Sequence, residues 1–345
     1  MKKLTTLILA LLLAVAMPLA LASCAGGAYN IPIVCGENGM NEAMGVATYG
    51  VDYYSLGLKA GDMAADILLN GADPATMAVA TDPNPALTVN EKVAGEIGFT
   101  IPQSVKDRAT GGGAAEVTRV TTAIKADGAD YKIGILQLVQ HVALDQANKG
   151  FQDQLSVRMD AAGKTVTIYD ENASGDDANN ATILNTLIGK DVDLIYTIAT
   201  SSSQAAVAAT EGKDIPVLFN AVTDPVGAGL VASMAAPGGN VTGVSDINPV
   251  EKQIELIGEL LGKDSVKVGF LYTSSETNSI TQINMAKAYC DANGHTYVTQ
   301  GIADITELKS AMIALANEGV DAIYIPTDNT LANGAATVHA VNIGE

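Results

Sequence analysis

The sequence predicts an α/β protein made of two doubly wound parallel-sheet lobes around a cleft. Three observations predict it. From residue 131 onward, short runs rich in Val and Ile alternate with longer amphipathic stretches, the pattern of successive strand–helix units. The alternation passes through five strands, restarts, and then passes through only three more. The last of these, "DAIYIPTDNTLANGAATVHAVNIGE", is a strand and a helix with no later strand to return to, while a run of matching form, "YNIPIVCGENGM", stands near the front. A chain of 345 residues is long enough for two cores.

Residues 1–23 read as a signal peptide. Lys2 and Lys3 precede the apolar run Leu4–Ala20, and Pro18 and the small residues before Cys24 favour cleavage over a transmembrane anchor. "LASC" resembles a bacterial lipobox, which implies lipid on Cys24 and a lipid-anchored N-terminus over residues 24–27. The protein is then expected at the cell membrane on the extracytoplasmic side, anchored without spanning.

Residues 28–51 supply two strands. "YNIPIVCGENGM" (Tyr29–Met40) has the form of "KDIPVLFNAVTDP" and reads as the fourth strand of the second lobe; "GVATYGVDY" (Gly45–Tyr53) reads as the fifth. Residues 52–75 carry the helix "SLGLKAGDMAADILLNG", assigned to the first lobe as its return helix. Residues 76–109 read as a C-terminal crossing segment of the second lobe. Residues 110–131 are rich in Gly, Ala and Thr with poor periodicity and read as a linker.

The first lobe is placed at 132–247, with strands "YKIGILQL", "KTVTIYDE", "VDLIYTIAT", "IPVLFNAVTDP" and "NVTGVSDI" separated by amphipathic helices. Strands 1–3 of the second lobe occupy 248–345: "SVKVGFLYTSS", "HTYVTQGIAD" and "VDAIYIPTDNT", after which Asn329 is expected to cap a helix over Leu331–Val341. The missing strand is expected from residues 28–40, lying beside Ile323.

Composition excludes some roles. A formal charge of −19 leaves no basic patch for nucleic acid. Aromatics make up 4% with no Trp, which argues against a sugar binder. Cys35 ends an apolar strand and Cys290 lies on a helix; they read as two buried thiols, with a disulfide as the alternative. His141, His295 and His339 lack metal-ligand spacing, so neither metal nor cofactor is expected.

The segments "KIGILQLVQHVALD", "TIATSSSQAAV", "VLFNAVTDPVGAGLVAS", "PGGNVTGVSD", "VGFLYTSSETNS" and "IYIPTDNTLA" resemble the ABC-transporter substrate-binding proteins of the tryptophan/tyrosine-uptake type, which have the type I periplasmic-binding-protein fold. So do "IPIVCGENGM", "ATYGVDYYSLG" and "GFTIPQSV". In that family the last three close the chain; here they open it, as in a circular permutation. The resemblance implies a monomeric carrier of a small amino-acid-like ligand, an aromatic amino acid, working with an ABC permease and its ATPase.

In open α/β sheets, ligands bind outside the C-terminal ends of the strands. In the first lobe that rule selects Gln137 and His141, Thr200, Ser201, Ser202 and Ser203, and Thr223 and Asp224. The free N–H groups before "SSSQ" suit a carboxylate, or a serine there caps the helix. Asp224 either meets ligand or fixes the turn before Pro225. His141 is either an edge-on partner for a ring or a solvated loop residue. In the second lobe the rule selects Tyr272, Ser274, Ser275, Glu276, Asp328, Asn329 and Glu37. Asp328 and Glu37 are candidates for an ammonium partner, with a solvated rim position as the alternative. Tyr272 either stacks on an aromatic ligand or packs in the core. No catalytic set appears. A nucleotide-binding Rossmann-like enzyme has only the weak loop "GAGLVAS" in its favour, and a ligand-binding sensor domain lacks a transmembrane helix after residue 24.

Overall fold

The computed structural model describes residues 27–110 and 114–345. The expected signal peptide, residues 1–23, and the expected lipidation site Cys24 lie outside them. The front of the chain forms β1 (Ile33–Cys35), α1 (Asn38–Met44), β2 (Ala47–Gly50), α2 (Tyr53–Asn70), β3 (Ala86–Val89) and the short helices α3 (Glu91–Glu96) and α4 (Gln103–Lys106). Next come β4 (Tyr131–Gln137), α5 (Val142–Ala161), β5 (Val166–Asn172), α6 (Asp177–Gly189), β6 (Leu194–Ile198), α7 (Thr200–Ala209), β7 (Val217–Asn220) and β8 (Val241–Gly243). The chain finishes with α8 (Val250–Leu261), β9 (Lys267–Thr273), α9 (Thr277–Asn293), β10 (Thr296–Ile302), α10 (Leu308–Asn317), β11 (Ala322–Ile325), α11 (Asn329–Asn333) and α12 (Ala335–Ile343).

The first lobe is a five-stranded sheet in the order β5-β4-β6-β7-β8, parallel throughout. Its central strands are buried on both faces, which is why β6 and β7 read as mostly apolar runs with no alternation. The second lobe is six-stranded, β10-β9-β11-β1-β2-β3. β1 lies parallel to β11 with Ile33 opposite Ile323 and Cys35 opposite Ile325, so the strand wanting at the back of the chain comes from the front. Around this seam Asn342 accepts from Tyr29 N (2.9 Å) and Asn30 N (3.0 Å) through its backbone carbonyl. Its side chain exchanges two further hydrogen bonds with the backbone of Ile31. Ile33 and Val338 share one core.

Three details differ from the sequence expectation. The segment 76–109 contains β3, which pairs antiparallel with β2 and caps the sheet edge. The final helix is broken at Gly334 into α11 and α12, and its N-cap is Asp328, not Asn329. Of the presumed linker, the described part is a packed strap. Ala114 N donates to Asp52 (2.6 Å), Val117 N to the Tyr54 hydroxyl (2.8 Å), and Val120 N to Ser156 Oγ (2.9 Å), while Arg119 pairs with the buried Asp153.

Helix α2 crosses α5 at glycines. A Cβ on Gly57 would meet the Ala147 carbonyl at 2.3 Å, and one on Gly150 the Tyr54 carbonyl at 2.3 Å. The two backbones therefore touch, which ties the front of the chain to the first lobe as well as to the second. Cys35 and Cys290 are both free and buried. Among the described residues no helix is long and apolar enough to cross a membrane.

Candidate functional site

The lobes are joined where the chain passes between them at 51–52, 80–86 and 244–249. These crossings are stitched side by side: Val51 N donates to Asn248 Oδ1 (3.0 Å), Ala80 N to the Gly243 carbonyl (2.9 Å), and Ser245 N to the Ala80 carbonyl (2.8 Å). Above them the C-terminal strand ends of both sheets face one another. The turns after β1, β4, β7, β8 and β11 deliver Glu37, His141, Ala221 with Thr223, Asp246, and Thr327 with Asp328; Tyr53, Leu144 and Asn329 enter from the first turns of α2, α5 and α11. The space they enclose measures about 10 Å³, room for one water. A ligand larger than a water does not fit this space as it stands. Toward solvent lies an outer cleft of about 380 Å³, lined from one side by Leu138, Val139, Thr200 and Ser201 and from the other by Ser275, Glu276, Asn278, Ile305 and Asn329. Asn278 and Asn329 border both spaces.

The inner cavity is acidic. Glu37, Asp246 and Asp328 are each 2% exposed or less, and no Lys or Arg lines the space. Burial pushes Glu37 up to about 7, against the pull of its two backbone donors and with the negative Asp246 and Glu42 adding to the rise. Burial, with the charge of Glu276 beside it, likewise brings Asp328 up to about 7. Asp246 is raised by burial and held back by the hydroxyls of Tyr53 and Thr223. The three do not form a group able to hold a metal ion; among the described residues none does. His141 Nε2 is buried without a hydrogen-bond partner, and burial lowers the imidazole pKa.

The structure sorts the sequence candidates. Glu37, His141, Thr223, Asp328 and Asn329 line the inner cavity, and Thr200, Ser201, Ser275 and Glu276 the outer cleft. Six others are engaged elsewhere. Gln137 is buried and donates to the Val139 carbonyl and Asp145. Ser202 Oγ bonds Asn180, and Ser203 Oγ bonds Thr197 and the Ala199 carbonyl. Asp224 accepts from Gly227 N and fixes the turn. Tyr272 lies over Gly301 and packs against the second-lobe core. Ser274 Oγ donates to the Ile302 carbonyl. Both acids proposed for an ammonium already hold backbone donors. Glu37 caps α1, accepting from Gly39 N and Met40 N at 2.5 Å each. Asp328 accepts from Thr273 N, Thr273 Oγ1, Ser279 Oγ and Leu331 N. Glu276 receives the N–H groups of Asn329 and Thr330.

Neither serine 201 nor 202 caps α7. The N-cap position is Ala199, at φ +89° and ψ 160°, a conformation an L-residue holds only under strain. The first turn of α7 that follows it, with the buried and unpartnered Ser201 Oγ, lines the outer cleft. Sequence reasoning missed Asp246, Tyr53 and Asn278. Asp246 was findable, since "VTGVSD" ends the fifth strand and the strand-end rule applies to it as to the rest.

A family model described as ABC transporter substrate binding protein matches residues 14–111 and 132–344. The chain belongs to this family. It is a family of binding proteins rather than enzymes, and the two sheets facing each other across a cleft are its type I periplasmic-binding-protein fold. The chain is 40% identical over 209 residues to the tyrosine-binding protein of Clostridioides difficile, covering 61% of this chain and 59% of that protein. It thus spans less than two thirds of that curated relative. It is 40% identical, with a TM-score of 0.53, to a Streptococcus pneumonia ABC domain solved in complex with L-Trp, covering 61% of this chain and 70% of that one. A conserved domain protein from Vibrio cholerae O1 biovar eltor is 34% identical with a TM-score of 0.56, covering the same shares.

Proposed function

We propose that this family member is the extracytoplasmic substrate-binding component of an ABC importer, closing its lobes on an aromatic amino acid and delivering it to a permease and its ATPase. The observation that carries the reading is the inner cavity: strand ends of both lobes meet there, and three buried carboxylates face it with no Lys or Arg. Such a site suits a small molecule bearing a cation, and closure and reopening are all that carriage requires. No bond needs to be made or broken, so the role is binding and not catalysis. The tyrosine-binding and L-Trp-complexed relatives support an aromatic amino acid as the cargo. The apolar wall of the cleft, Leu138, Val139 and Ile305, suits a ring.

Thermal unfolding tests it. At one hundred times its Kd a ligand adds about 2.7 kcal/mol to the folded state, so the Tm is expected to rise by several degrees with tryptophan, tyrosine or phenylalanine. A Tm indifferent to all three removes the aromatic reading.

The lipid anchor at Cys24 belongs to the same proposal. Cys24→Ala is expected to shift the protein from the membrane fraction to the soluble one; undiminished attachment argues for an uncleaved hydrophobic anchor instead.

A further inference from the structure

Five residues other than glycine have positive φ among the described residues. Three of them, Asn30, Ser174 and Asp191, have a short polar side chain that can hydrogen-bond locally. The other two are alanines, Ala199 at φ +89° and Ala221 at φ +54°, and both are buried. An alanine has no side-chain bond to offset such strain, so the surroundings must hold it. The two stand side by side. β6 and β7 are parallel neighbours with Ile198 opposite Asn220, so each alanine follows one residue of that pair, at the strand ends that meet the cleft. Together they set the first lobe's share of both spaces. Thr200 and Ser201, which follow Ala199, line the outer cleft, while Ala221 and Thr223 line the inner cavity.

One residue bonds both alanines. Asn220 accepts from Ala199 N through its backbone carbonyl (3.0 Å) and from Ala221 N through Oδ1 (2.7 Å). Its Nδ2 donates to the Tyr196 hydroxyl (2.8 Å). The Tyr196 ring is stacked on Phe151 of α5, with centroids 3.7 Å apart. Asn220 is fully buried and lines neither space. Its amide is therefore anchored to the first-lobe core at one end and holds a strained turn of the cavity wall at the other.

We propose that Asn220 is a positioning residue for ligand capture: without touching the ligand, its side chain fixes the Ala221 turn, and with it Thr223 and the first-lobe wall of the cavity. This rests on the interlobe cavity being the ligand site. A wall held in shape before the ligand arrives spares the ordering cost of binding.

The test is calorimetric titration of the purified full-length protein with the twenty common L-amino acids, and then of its variants with the tightest binder. Asn220→Ala is expected to bind about tenfold more weakly, because Ala221 N loses its buried acceptor and the turn relaxes. Adding Ala221→Gly to that variant is expected to restore affinity to within about threefold of wild type, since glycine takes positive φ without an anchor. Leu187→Ala, a cavity-forming change in the same core, is expected to lower the Tm by several degrees while affinity stays within about threefold. Ala221→Gly alone is expected to raise the Tm by about 2 °C, a comparison that stands even if Asn220→Ala does not fold. Wild-type affinity in Asn220→Ala overturns the positioning role, as does a double variant no tighter than Asn220→Ala. Tenfold weaker binding by Leu187→Ala overturns it too, by marking the loss as one of stability, and so does a lower Tm in Ala221→Gly. All four outcomes leave the cleft reading intact. If none of the twenty binds the wild type, that reading falls and the role of Asn220 falls with it.

Discussion

Asp328→Ala is expected to destabilise the fold by about 3–5 kcal/mol, a fall in Tm of roughly 10 °C for a chain of this size. The reason is the knot around the carboxylate. Oδ2 accepts from Thr273 N (2.7 Å) and Ser279 Oγ (2.8 Å), and Oδ1 from Thr273 Oγ1 (2.9 Å) and Leu331 N (2.8 Å). These donors come from β9, α9 and α11, so one side chain joins three elements at the strand ends of the second lobe. Alanine leaves two buried N–H groups without partners, where each costs about 1–3 kcal/mol. Asparagine is no rescue, because either orientation of its amide sets an NH₂ against a backbone N–H, that of Thr273 or that of Leu331. Both variants are expected to melt early, read by calorimetry or circular dichroism. Asp328 lines the inner cavity as the strand-end rule expects, and the knot makes it structural as well, so weakened binding in such a variant would report a loosened lobe along with any lost contact. A Tm within 2 °C of wild type would contradict the knot.

Raising the pH from about 5.5 to 8 is expected to destabilise the ligand-free protein by a few kcal/mol. The sign follows from the raised carboxyls. Glu37 and Asp328 titrate near 7 in the fold against ordinary values of 4.5 and 3.8, and Asp246 is displaced in the same direction. Between those limits the folded protein holds protons that the unfolded chain releases. Their contribution is complete below the unfolded pKa and is lost as pH climbs through about 7. His141, lowered by burial, works the other way in part of the window. The paired Asp153 and Asp321 are lowered and titrate beneath the window. A cationic ligand favours the ionised carboxylates, so its affinity is expected to strengthen over the same rise. Glu37→Gln should flatten the dependence of Tm on pH. A Tm that climbs steadily from pH 5.5 to 8 in the wild type would contradict the acidic cavity.

Much of the fold was legible because it is written in local pattern. The short runs "VDLIYTI" and "VLFN", rich in Val, Ile, Leu and aromatics, become β6 and β7, buried on both faces. The pairing of Ile33 with Ile323 was readable from a deficit: one sheet was a strand short and one strand had no sheet. β3 was not readable, because "ALTV" between Pro85 and Asn90 is too short to show a period. The strap escaped for a different reason. It is held largely by hydrogen bonds to Asp52, Tyr54 and Ser156, and only Val120, Ala123 and Ile124 reach the core, too few to show a period.

In the site, the strand-end rule placed Glu37, His141, Thr223 and Asp328 around one cavity. It could not say which carboxylate was already taken. That depends on Thr273, 55 residues before Asp328, and on a tyrosine 193 residues before Asp246. Tyr272 illustrates the converse: it follows the same rule, yet its ring turns to the sheet edge over Gly301.

Hydrogen–deuterium exchange with and without the amino acid that raises the Tm most addresses the central claim directly, that ligand is gripped by both lobes at once. Exchange is expected to slow together at Gly39 and Met40 beside Glu37 in one lobe and over Thr200–Ser203 in the other. Slowing confined to one of these segments, or to neither, would contradict closure around a shared site.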